Sequence, residues 1–327
     1  MNDTAHRAAL DHVLRLVAEA DCGDSLILRG SMAMLAWVGN GARPPRDLDW
    51  IVRPSNAMPV DDRHPYPYLE QLDSVQLWPE VAHGAGRPKI WMFEDLDTGG
   101  FYPRLPPEGL HWLTAAELDG DVSRPHDDVI AAVRAQPLAA GGVVLDVDNA
   151  TFDSRWTYAY SDGDEGDAPR EVNADEGGGI RVVIPWRVED GPTGSVQVDF
   201  SYDEVLPEPP VLAAVPCEDT PEPTVVWAAT AAASLVWKLQ WLGTDQVRRG
   251  SSEGKDLYDA VLLAELSSTE ISPRLRHALR SRVPDADVLR PEAVRQWTID
   301  WSSLNVHSGT QGWLDRLATA LAVLLDS

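Results

Sequence analysis

The chain of 327 residues is 44% apolar and 24% charged. It can bury a substantial core and is too apolar to be disordered as a whole, and its length allows two domains or one catalytic domain with a helical appendage. A formal net charge of -25 repels phosphate backbones, which excludes a nucleic-acid partner unless basic groups are gathered locally. The two cysteines, Cys22 and Cys217, make no disulfide framework and lack metal-ligand spacing, so a reducing cytoplasm is the expected location.

Met1 to Ala20 scatters charge through an amphipathic helical pattern and lacks the apolar core of a signal peptide. Ser25 to Leu28 is a short apolar run that predicts a buried strand. It ends at Arg29-Gly30-Ser31, and Met32 to Val38 predicts a short helix. A turn-rich stretch from Gly39 to Pro45 precedes Asp47 to Val52, which has the pattern of a strand. Leu69 to Val81 and Asp127 to Ala135 suit helices, and Gly99 to Gly109 suits a loop. Phe152 to Tyr160, Ile180 to Val188 and Ser195 to Tyr202 predict antiparallel strands, the last two joined by a turn at Asp190 to Gly194. The acidic loop Asp162 to Gly179 ends in three glycines that precede a strand, not a helix, and so make a poor phosphate cradle.

Six prolines between Leu206 and Pro223 mark a change of architecture. Helical patterns follow at Val225 to Leu242, Glu253 to Leu266, Ser272 to Ser281, Pro291 to Trp301 and Gly312 to Leu325. Val225 to Trp237 is too short to span a bilayer, which needs about 20 residues, so no membrane partner is expected. The expectation is an α/β domain over 1–206, a proline-rich connector over 207–223 and a C-terminal helical domain over 224–327.

The strongest constellation runs from Gly30-Ser31 to Asp47-Leu48-Asp49. Period-2 geometry puts Asp47 and Asp49 on one strand face, about 6–7 Å apart. From there two carboxylates can converge on two divalent ions about 3.5–4 Å apart, as phosphoryl and nucleotidyl transfer require. A glycine at a helix start lets the backbone approach a triphosphate, and Ser31 adds a hydroxyl there. The D-x-D pattern is common in this acidic chain, recurring at Asp95/Asp97 and Asp146/Asp148 among others. By itself it reads equally well as solvated carboxylates; the strand-turn-helix context separates the pair at Asp47/Asp49.

A third carboxylate would hold the second metal or take a proton from the attacking hydroxyl. Asp199 follows Val196 and Val198 at the end of an apolar strand, although a strand-end aspartate facing water is the plainer reading by spacing alone. Lys238 is the one charge between Glu222 and Asp245, on an otherwise apolar helix. A buried ammonium should meet a carboxylate or a phosphate, unless it snorkels to the helix end. Lys255 and Asp259 stand four apart on one face of the next helix, where they could form a surface ion pair. Gln246 to Arg282 holds seven basic and five acidic residues, a local basic surface. No G-x-x-x-x-G-K-[ST], H-E-x-x-H or C-x-x-C motif is present.

Taken in order, Leu28-Arg29-Gly30-Ser31-Met32-Ala33-Met34-Leu35, Arg46-Asp47-Leu48-Asp49-Trp50, Val198-Asp199, Lys238-Leu239 and Lys255-Asp256-Leu257-Tyr258-Asp259 resemble the nucleotidyltransferase toxins of the AbiEii/AbiGii type, which include the MenT toxins. The resemblance implies a nucleotidyltransferase-type α/β fold, with a mixed sheet and helices, followed by a C-terminal helical bundle. It implies that Gly30 and Ser31 hold the triphosphate, with Lys238, Lys255, Asp256 and Asp259 also in the nucleotide site. Asp47, Asp49 and Asp199 would be catalytic and would bind Mg2+, with two ions expected and NTP as substrate.

The resemblance further implies transfer of a nucleoside monophosphate to a hydroxyl by the toxin of a toxin–antitoxin pair, with a tRNA 3′ end as one acceptor and a cognate antitoxin as partner. The family often has a second glycine and a threonine where this chain has Gly30-Ser31, and here the turn before Asp47 is rich in proline. Two alternatives stand beside this reading. One is the same chemistry on a small molecule or a protein; the other is a catalytically degenerate nucleotide-binding interaction module.

Overall fold

The computed structural model describes residues 2–53, 57–60, 111–114, 124–153, 178–202, 204, 206–304 and 309–325. Its regular elements are, in order, α1 (Asn2–Glu19), β1 (Leu26–Arg29), α2 (Gly30–Val38), β2 (Asp47–Val52), β3 (Ala57–Val60), β4 (His111–Thr114), α3 (Pro125–Ala135), β5 (Val143–Leu145), β6 (Thr151–Asp153), β7 (Gly179–Val188) and β8 (Thr193–Ser201). There follow β9 (Val211–Val215), β10 (Thr224–Ala228), α4 (Ala231–Arg249), β11 (Ser252–Glu253), α5 (Gly254–Ala264), α6 (Pro273–Arg282), α7 (Pro291–Val294), β12 (Ile299–Asp300) and α8 (Thr310–Leu324). These pack as two compact units, one of Met1–Ile27 and Trp50–Pro210, the other of Leu28–Asp49 and Val211–Ser327. The boundary therefore runs through β1 and β2.

In the first unit, Leu10, Val13, Leu14 and Val17 form a buried helical stripe on α1, and α1 packs on β8. The β7–β8 hairpin is antiparallel and sets Ile184 opposite Val196 and Val182 opposite Val198, all buried. The same register places Arg181 opposite Asp199. Asp190 takes φ 52° at the turn, a left-handed conformation that aspartate tolerates better than most residues. Strands β5 and β6 pair antiparallel with β7.

In the second unit, β1 runs parallel to β10, with Leu28 opposite Ala228, and β10 runs antiparallel to β9. This is a mixed sheet followed by helices, as the resemblance implies. Helices α2 and α4 both start just past the carboxyl ends of the parallel strands β1 and β10, the position where open α/β sheets present ligand-binding groups. Thr230 caps α4 by accepting from the Ala233 N–H at 3.0 Å. Helix α4 packs on α5, and α5 on α8, through buried Leu235, Leu239, Leu257, Val261, Leu314 and Leu317.

Several sequence expectations are corrected here. Val225 to Leu242 is not one helix: Val225, Val226 and Trp227 belong to β10, and the helix starts at Ala231. The β-branched and aromatic side chains pair with Ala214, Ala213 and Leu212 of β9, which overrides their weakly helical pattern. Strand β9 itself lies inside the expected connector. Pro291 to Trp301 divides into the short helix α7 and the strand β12, because the helical spacing lapses after Val294. Leu69 to Val81, Gly99 to Gly109, most of Phe152 to Tyr160 and most of the acidic Asp162 to Gly179 segment lie outside the described residues.

Candidate active site

Residues 28–49 bring the first half of the predicted site together within one unit. Arg29 leaves β1 in an extended conformation, and Gly30 opens α2 at φ +71°. A side chain at Gly30 would be strained at that φ, and its Cβ would collide with Oδ2 of Asp49. Glycine thus creates the space in which the Asp49 carboxylate lies against the start of the helix. Ser31, buried, donates its hydroxyl to Oδ1 of Asp47 at 3.0 Å. Asp47 is partly exposed and Asp49 is buried, so the pair has one foot in solvent.

The second half of the site gathers around Lys238. The residue is 6% exposed, and its ammonium lies 2.7 Å from Oδ1 of Asp256 and 3.0 Å from Oδ2 of Asp259. The Trp241 ring lies 5.0 Å away on the same helix. Burial alone would lower the pKa of this lysine, but Asp256 and Asp259 outweigh burial and hold it above its usual value. The sequence expectation that Lys238 meets a carboxylate is met twice. Helix α2, which carries Ser31, packs against both α4 and α5, the helices that carry Lys238 and the two aspartates.

Two predicted residues are placed differently. Lys255 does not share an ion pair with Asp259: its nitrogen lies 3.8 Å from Glu253, and both side chains are more than two-fifths exposed. Asp259 is fully buried, and its carboxylate is taken by Lys238 and Arg43 instead. Asp199 lies in the other unit, and Arg181 Nε and Nη2 grip its two oxygens at 2.8 and 2.9 Å. The Gln197 amide adds a third contact at 2.8 Å. Asp199 is buried and neutralised by the residue directly across the hairpin, not facing water.

One residue of the cluster carries no signal in the sequence reading. Arg43, in the turn before β2, donates from Nε to both oxygens of Asp259 at 3.2 Å. Burial works against its charge, but Asp259, then Asp256 and Asp47, raise its pKa above the usual arginine value. An arginine in a proline-rich turn reads as solvated, and its partner lies 216 positions away. The neighbouring Tyr258 hydroxyl donates to the Gly41 carbonyl at 2.9 Å, a second tie invisible to local pattern.

The donors around the Asp47/Asp49 pair are hard oxygens, carboxylates with a hydroxyl beside them. That set suits magnesium, which keeps several waters and takes one or two carboxylates together with substrate phosphates. Among the described residues no group of three or more His, Cys, Asp or Glu side chains gathers where it could hold a metal ion. Nor is any described helix long and apolar enough to cross a membrane.

A Gly-Ser helix start holding a D-x-D strand, in a mixed α/β fold with C-terminal helices, is the layout of a nucleotidyltransferase, and comparison with known proteins bears this class out. The profile of the nucleotidyl transferase AbiEii toxins of type IV toxin–antitoxin systems matches residues 154–322, slightly more than half of the chain. The chain belongs to that family. The matched span includes Asp199, Lys238 and Lys255 to Asp259, while Gly30, Ser31, Asp47 and Asp49 precede it. A solved structure of a candidate nucleotidyltransferase from H. pylori is similar at 11% identity and a TM-score of 0.45, covering 98% of this chain and 95% of that one. No curated relative matches the chain.

Proposed function

We propose that the chain moves a nucleoside monophosphate from an NTP to the hydroxyl of a tRNA 3′ end, releasing pyrophosphate, in the cytoplasm and as a toxin held in check by a cognate antitoxin. The observation that carries the chemistry is the joint placement of Gly30, Ser31, Asp47 and Asp49 at one helix start. Asp47 and Asp49 would hold Mg2+, which supplies charge neutralisation on the phosphates and a lowered pKa for the attacking hydroxyl.

Gly30 admits the Asp49 carboxylate to the start of α2, where negative charge is favoured. Lys238 has three N–H donors. Two meet Asp256 and Asp259, which aim the third at a phosphate oxygen and keep the group charged while it waits. Asp256 and Asp259 therefore act on the nucleotide through Lys238, and Lys255 adds a half-exposed cation one residue before Asp256. Asp199, its carboxylate held by Arg181, is a third acid by its place in the family pattern alone.

The acceptor side of the reading rests on α6. It carries Arg274, Arg276, Arg280 and Arg282 and no acidic residue, in a chain whose net charge is -25. That same net charge favours a second reading, transfer to a small molecule or a protein. Incubation of the protein with magnesium, each α-labelled NTP and total tRNA, beside Asp49→Ala, decides between them. Label in RNA with wild type alone, weakening steeply as salt rises, is the expected result. Pyrophosphate release that needs cell extract and leaves RNA unlabelled would move the acceptor to the second class. NTP binding with no release in either assay would leave a nucleotide-binding module.

A further inference from the structure

Helix α5 grips the turn ahead of β2 at two successive residues. Tyr258 holds the Gly41 carbonyl, and Asp259 holds the Arg43 guanidinium through Nε and Nη2, each contact at 3.2 Å. Asp259 is fully buried and also carries Lys238. It is thus the shared carboxylate of a closed group of two cations, Arg43 and Lys238, and two anions, Asp256 and Asp259. From Arg43 the chain reaches Asp47 through Pro44, Pro45 and Arg46. Each proline ring fixes φ near -65°, so this arm is stiff, and its far end is held by the Ser31 hydroxyl on Asp47. Arg43 also senses the Asp47 charge directly.

We propose that Arg43 is a positioning residue for nucleotidyl transfer: by clamping Asp259 it sets Lys238 on one side and, through the Pro44-Pro45 arm, Asp47 on the other. The lysine for the triphosphate and the acidic pair are then held in one register. The proposal rests on the nucleotidyltransferase reading above and adds to it a residue outside the nucleotide contacts. Lysine cannot replace Arg43 fully, because its point charge lacks the planar fork that meets both oxygens of Asp259. A plain turn-stabilising ion pair would instead affect stability and leave the rate of folded enzyme unchanged.

The test uses the full chain with magnesium chloride, each of the four ribonucleoside triphosphates and whole-cell extract, reading pyrophosphate release. For Arg43→Ala we expect kcat to fall on the order of 10²-fold, the effect of a small misplacement of reacting groups, while the KM for NTP moves by less than about threefold. Arg43→Lys should recover part of the loss. The Arg43→Ala, Asp259→Asn double variant should be no worse than about the poorer single variant, since both break one clamp. A folded Arg43→Ala with kcat within about twofold of wild type, or singles whose losses multiply in the double, overturns the proposal.

If Arg43→Ala does not fold, Arg43→Lys carries the test, and wild-type kcat in that variant overturns the proposal equally. A silent wild type would defeat the parent reading instead, and amide exchange then judges the clamp without activity. Faster exchange over residues 39–47 in Arg43→Lys than in wild type supports the clamp; unchanged exchange refutes it.

Discussion

At the scale of single residues, the site is a problem of holding charge out of water. Lys238 is buried, and its stability rests on Asp256 and Asp259. Removing one partner of a buried pair leaves an uncompensated charge, at a cost of about 3–5 kcal/mol, and truncating the side chain leaves a cavity as well. Lys238→Ala should therefore lower the unfolding free energy in urea by about that range or more, and Lys238→Met by less than Ala, because methionine fills the volume that alanine leaves empty. Both should lose nucleotidyl transfer. A variant of either kind that keeps wild-type transfer would remove Lys238 from the nucleotide site. Because the folded pKa of Lys238 is raised, its contribution is fully present below the unfolded value of about 10.4 and is lost as pH rises through the folded value.

What could be read at this scale from sequence depended on reach. Gly30-Ser31 and Asp47/Asp49 lie within 20 residues on a strand, a turn, a helix and a second strand, so local pattern alone brings them to one place. Lys238 was legible because a lone charge on an apolar helix requires a partner. Arg43 was not, since nothing in a turn of Gly and Pro announces that its guanidinium is paired with a carboxylate of α5. Asp199 was legible as a strand-end carboxylate but not as a neutralised one. Its partner Arg181 follows from hairpin register, which the turn at Asp190 to Gly194 fixes.

At the scale of elements, period and length decided what could be called. The first helix, β2, the β7–β8 hairpin and the helices at Glu253, Ser272 and Gly312 carry strong periodic or turn signals and appear within a few residues of their expected bounds. Val225 to Ala228 carries none, because a short apolar run suits a strand or a helix equally. Pairing with β9 settles it. In the first unit, α3 is latched to the chain just past β8 by His126 Nδ1 and the Tyr202 hydroxyl, 2.8 Å apart.

Burial lowers the His126 pKa below its usual value, with Asp127 and Asp128 opposing this and Arg124 reinforcing it. A folded pKa below the unfolded one means stability that is present above about pH 6.5 and is lost as pH falls from there toward the folded value. The unfolding midpoint of wild type should drop on acidification from about pH 7.5 to about 5.5 by more than that of His126→Gln. Equal pH dependence in the two proteins would show that the latch does not titrate in this window.

At the scale of the whole molecule, the two facts in tension are membership of a nucleotidyltransferase toxin family and a net charge of -25. A triphosphate must approach a molecule that repels it at long range. On the proposed reading, attraction comes at short range, from the start of α2, from Lys238 and from metal ions that Asp47 and Asp49 would hold. This makes the reaction sharply dependent on those few groups. The most direct measurement follows the fate of two labels on one nucleotide. With magnesium and extract as acceptor source, α-labelled NTP should pass its label to a macromolecule or small acceptor while γ-labelled NTP yields labelled pyrophosphate. Asp47→Ala and Asp49→Ala should abolish both. Transfer of the γ label to the acceptor, or full activity in either aspartate variant, would contradict the account.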